Sequence, residues 1–146
     1  MIKRKENWQE YLNKAVEAAA VRPFSWGEHD CCIFSASCVE AMTGIDHMSN
    51  FHGLYNDEES AKNALKTIGA KTLYRTLQKI FGKSIHPALA HRGDVVYRRD
   101  SGIPAVGICL GDLSVFVGVN EAPDGSLVGE GLVTVQTLSC IKVFRV

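Results

Sequence analysis

The chain has no net charge to speak of: 16 lysines and arginines balance 16 aspartates and glutamates over 146 residues. MIKRKE opens with three cations, but no long basic face follows that would track a phosphate backbone, so nucleic acid is excluded as an expected partner. Long apolar runs are also missing. None approaches the roughly 20 residues of a membrane helix, and the N-terminus lacks the apolar core of a signal peptide, so membrane insertion is not expected and synthesis is expected in the cytoplasm. Internal repeats, linkers and low-complexity stretches are absent, which predicts a single domain over 1–146. The composition, 46% hydrophobic and 22% charged, is that of an ordinary globular core rather than a disordered or fibrous chain.

Cysteine is present but not in a disulfide pattern. The five residues Cys31, Cys32, Cys38, Cys109 and Cys140 are odd in number and irregularly spaced, which predicts free thiols. Cys38, Cys109 and Cys140 sit among apolar neighbours and read as small core residues. A metal site built from His29, Cys31, Cys32, His47 and His52 lacks C-x-x-C or H-x-x-x-H spacing, and the adjacent cysteines lack the spacing of a redox pair. No metal or cofactor is expected.

What is there divides into two halves. Trp8, Tyr11, Leu12, Ala15, Val16 and Ala19 recur every three or four positions and predict a first helix from Glu6 to Ala20, ended by Arg22-Pro23. Asp30 as N-cap and Gly44 as C′ residue bracket a second helix, CCIFSASCVEAMT, whose only charge is Glu40 and which is therefore expected to be central. Its small residues Ser35, Ala36 and Ser37 are expected to let other backbone approach closely. A third helix is expected after Asp57, with an inner stripe of Ala61, Ala64, Leu65 and Ile68, and a fourth from Thr72 to Phe81. Short β-rich runs follow at 95–97, 105–110, 113–119, 132–135 and 140–146, with a two-residue turn at Gly111-Asp112. Helices first and strands second predict an α+β fold, the helices packed on an antiparallel sheet.

The chemistry concentrates in WGEHDCCIF, residues 26–34. With Asp30 as the cap, Cys31 becomes the first helical residue, where unpaired amides and the helix dipole favour a thiolate, the form that attacks carbonyls. Cys32 points about 100° around the helix and is less well placed. A cysteine nucleophile also needs a base, usually histidine, and none of His29, His47, His52, His86 and His91 is placed by spacing alone. The plainest reading is that Trp26, Gly27 and Asp30 only shape a loop and cap a helix, with Cys31 inert.

F-x-W-G-x-x-D-C-x-x-F at 24–34, T-G-I-D at 43–46, G-L-Y at 53–55, R-G-D-V-V at 92–96 and V-G-I-C-L-G at 106–111 together resemble a family of small phage and prophage proteins. These in turn resemble the NlpC family of papain-like cell-wall cysteine peptidases. The resemblance runs from about residue 7 to the C-terminus. It implies a papain-like fold, Cys31 as nucleophile beside the helix cap Asp30, and Trp26 and Gly27 at the binding site. It also implies a general-base histidine opening the second strand, but Ala105 stands there, and the third polar position falls on Phe116, Val117 and Gly118. The expected function is therefore a tail-tip component, structural or in assembly, lacking the usual dyad. It would be made in the bacterial cytoplasm, carried in the virion tail, and partnered by tail-tip or hub proteins and peptidoglycan. The alternative is an active cysteine peptidase or amidase on peptidoglycan stem peptides, with His91, His86 or His29 as substitute base.

Overall fold

A computed structural model describes residues 3–100, 102–117, 120–121, 127–128 and 132–146. Four helices come first: α1 (Trp8–Ala20), α2 (Cys31–Thr43), α3 (Glu58–Thr67) and α4 (Leu73–Phe81). The strands β1 (Val95–Asp100), β2 (Ile103–Cys109), β3 (Leu113–Val117), β6 (Leu132–Gln136) and β7 (Lys142–Phe144) form one antiparallel sheet in the order β6-β3-β2-β1-β7. Two strands the sequence pattern did not announce, β4 (Asn120–Glu121) and β5 (Leu127–Val128), pair as a separate ribbon. The α+β expectation holds, and so does the two-residue turn: Leu110 N donates to Leu113 O across Gly111-Asp112, with Gly111 at φ +121°.

Helix boundaries follow their caps. The Asp30 side chain accepts from Ile33 N at the start of α2, and Gly44, at φ +84°, closes it. Asp57 and Ser60 form a reciprocal capping box on α3, and Thr72 caps α4. The inner stripes differ slightly from expectation, since Tyr11 is 43% and Ile68 40% exposed.

Side chains alternate across the sheet, as its period of two requires. Val95, Tyr97, Val106 and Ile108 face the helices and join Leu12, Phe34, Cys38, Val39, Met42 and Phe144 in the main core. Val96, Cys109, Phe116 and Val143 face the other way and pack with Cys140, Ile85 and Ala90. α2 lies between α1 and the helix-side face of β2, which makes it the central helix. No described helix is long and apolar enough to cross a membrane.

Candidate functional site

The site is built around the entry to α2. Trp26 and Gly27 turn the chain, and Gly27 takes φ +81° with Tyr55 O so close that a Cβ there would stand 2.2 Å from it. Only glycine fits both demands. Ser25 and His29 bridge the two sides of this turn, with Ser25 N donating to His29 O at 3.0 Å.

Asp30 is only 2% exposed, yet its carboxylate is fully engaged. Oδ1 accepts from Ile33 N at 2.9 Å, and Oδ2 accepts from Gly27 N at 2.9 Å and from Tyr55 Oη at 2.7 Å. The cap is thus also the joint between the WG turn and the GLY segment. Burial, and after it the Asp30 carboxylate, pushes the Tyr55 phenol far above its ordinary range, so it stays a donor.

Cys31, the first residue of α2, is partly buried at the wall of a cavity of about 160 Å³. Its pKa is lowered, first by a hydrogen bond from the Cys32 thiol and then by the backbone of Val106 on β2, against burial and the Asp30 charge that both act to raise it. Cys32 is driven the opposite way by the same hydrogen bond and by burial, and ends well above an ordinary thiol. Cys31 is therefore the thiolate former of the pair. Cys38 and Cys140 are buried and inert, pushed up to about 12 and about 11 by burial, and Cys109 is buried as well.

The walls of the cavity come from α2, the 47–55 loop, α3, α4, β1 and β2, and they are predominantly apolar. Trp26 stands at its edge, 37% exposed and edge-on to Phe24 at 5.2 Å. Of the small residues of α2, Ser35 and Ala36 line the cavity, while Ser37 is exposed.

The substitute bases inferred from sequence stand elsewhere. His29 is buried behind the turn against Phe34 and the end of α1, its pKa lowered by burial and next by Arg22. His86 is exposed and its Nδ1 accepts from Ala88 N, and His91 is exposed with its backbone N donating to Asp94. None of the three lines the cavity. His47, considered among the histidines but not singled out as a substitute base, does line it, but it follows the C-terminal end of α2 and stands edge-on to Phe81 at 5.1 Å. α2 alone carries the chain about 18 Å from Cys31 to its last residue. Among the described residues no histidine hydrogen-bonds Cys31, and none acts on the acidity of its thiol.

Ala105 is not at the cavity either. Strand alternation turns it to the opposite face, beside Val96, Cys109 and Phe116, and gives the helix side to Val106. Val117 points back into the main core, and Gly118 lies outside the described residues. Of the conceivable metal set, His52 is paired to Asp46 at 2.8 Å. No three metal-ligating side chains gather among the described residues.

No curated protein matches the chain. The family model described as a domain of unknown function, DUF6950, matches residues 3–146, and the chain belongs to that family.

Proposed function

We propose that the protein is an NlpC-like domain without a working cysteine–histidine dyad, acting as a structural or assembly component of a phage or prophage tail tip through contacts with hub proteins. One observation carries the reading. Cys31 keeps the helix-terminal position of a nucleophile and its lowered pKa, while no described imidazole is arranged to take its proton or to protonate a leaving amine. Proton transfer by a positioned side chain is worth about 10²–10⁴ in rate, and an amide nitrogen is a poor leaving group without it. The sequence resemblance supplies the tail context, and a helix opening at Cys31 against an antiparallel sheet is consistent with it.

The lowered pKa of Cys31 favours a second reading, an active hydrolase of peptidoglycan stem peptides. One experiment separates the two. Sacculi are incubated with the protein and with its Cys31→Ala variant while released peptides are followed by chromatography, and purified virions and tail intermediates are searched for the protein by mass spectrometry. The structural reading expects no Cys31-dependent release and the protein present in tails. Cys31-dependent release, or absence from both virions and intermediates, overturns it.

A further inference from the structure

We propose that the cavity beside Cys31 is a docking site for one tyrosine side chain presented by an acidic segment of a partner protein. This names the chemistry of the partner and rests on the structural reading above only for the partner being another tail protein.

The size comes first. An apolar cavity of about 150 Å³ holds a benzene-sized guest, and the volume here is about 160 Å³. A single six-membered ring fits. The walls are apolar, which rejects a charged side chain. The two carboxylates among the described lining residues are already committed, Asp30 to three donors and Glu58 to Lys62 at 3.3 Å, so neither waits for a cation.

Two lining residues, Ser35 and His47, carry a buried polar atom without a partner. Ser35 lies one turn beyond Cys31 on the same face of α2, is 4% exposed, lines the cavity, and its Oγ has no hydrogen-bond partner. A buried hydroxyl left unpaired is costly, and helical serine ordinarily avoids the cost by bonding back to the preceding turn. Here it does not. His47 Nε2, at the far end of the same cavity, is likewise buried without a partner. An occupant with an apolar ring and one hydroxyl satisfies the walls and Ser35 together, and a phenol is that occupant.

The surroundings supply the charge. The cavity shares Lys62, Leu65, Leu73 and Pro104 with a neighbouring depression that adds Lys66, Lys71 and Arg99. These last three cations have no carboxylate partner among the described residues. A ring anchored in the cavity would lead its flanking residues across them, so acidic flanks gain and basic flanks lose.

The test uses the whole protein with p-cresol, toluene and two peptides, acetyl-Glu-Glu-Tyr-Glu-Glu-amide and its counterpart with lysine flanks. p-Cresol is expected to bind with a dissociation constant of about 1 mM or tighter, in keeping with a small ligand, and to slow Cys31 alkylation by iodoacetamide. Ser35→Ala is expected to lower the ratio of p-cresol to toluene affinity about tenfold. The acidic peptide is expected to bind more tightly than the basic one. The Lys66→Glu, Lys71→Glu double variant should reverse that order and leave p-cresol binding unchanged. No p-cresol binding, no protection of Cys31, or an unchanged ratio in Ser35→Ala overturns the phenol site. Equal binding of the two peptides overturns the acidic partner and leaves a site for a free phenol. These outcomes are independent of whether sacculi are cut or tails contain the protein, so either proposal fails without the other.

Discussion

Two adjacent thiols with opposite acidities are the chemical centre of the molecule at the scale of single residues. The neighbouring Cys32 thiol favours charge on Cys31, and that charge together with burial holds the proton on Cys32. The rate of Cys31 alkylation against pH should therefore show a midpoint below the free-thiol value of about 8.5. Cys32→Ala removes the donor and should raise that midpoint, whereas Cys32→Ser keeps a donor and should hold it low. A midpoint unmoved by Cys32→Ala would assign the activation to the helix terminus and Val106 instead. Asp30 and Cys31 were legible in the sequence, because a capping carboxylate before an apolar helix names its own first residue. Ser35 was not. Inside CCIFSASC a serine reads as a small spacer, and only the surrounding walls reveal that its hydroxyl faces empty, apolar space.

At the scale of elements, the WG turn, the GLY segment and α2 are one cooperative unit held by Asp30 and by the contact of Gly27 with Tyr55 O. Gly27→Ala adds a clash with backbone to a left-handed φ, and should lower stability by about 2–4 kcal/mol in denaturant titration. Tyr55→Phe removes only the phenol donor to Asp30 and should cost about 1–2 kcal/mol. A larger loss for Tyr55→Phe than for Gly27→Ala would mean that the hydrogen bond, not the close backbone approach, holds the unit. The motifs WG, DC and GLY were visible as separate signals, but their union depends on a contact between residues 25 apart, which no local pattern encodes. The same limit explains the elements. Helices with 3.6-residue periodicity were readable to within about two residues, and the longer strands less closely, since β1 runs on to Asp100 beyond the expected 95–97. The two-residue strands β4 and β5 are too short to show a period. Alternation adds that Ala105, known from the sequence to carry no imidazole, lies on the sheet face opposite Cys31.

At the scale of the whole molecule, the RGD segment at 92–94 that leads into β1 is a clasp. Asp94 is 0% exposed and gathers both ends of the described chain. Oδ1 accepts from Arg4 Nη2 at 3.3 Å and from Val146 N at 3.0 Å, while Oδ2 accepts from His91 N at 2.8 Å and lies 3.6 Å from Arg145 Nε. Arg4 also donates to Arg92 O and Val146 O and stacks on Trp8 at 4.2 Å, so the ion pair is embedded in packing. Gly93 makes room for it, since a Cβ there would stand 2.8 Å from Arg4 Nη1. Removing one partner of a buried pair strands the other, and Asp94→Ala should cost about 3–5 kcal/mol because two cations and two amides lose their acceptor. Arg4→Ala leaves Asp94 with Val146 N, His91 N and Arg145, and should cost less, about 1–3 kcal/mol. The double variant should lose about 1–3 kcal/mol less than the sum, the signature of a shared interaction. Urea titrations of the four proteins, with the denaturant slope held constant as the check on two-state unfolding, measure that coupling directly. Strict additivity would show that Arg4 holds the N-terminal segment through Trp8 and the carbonyls of Arg92 and Val146 alone, with Asp94 serving only the C-terminal end.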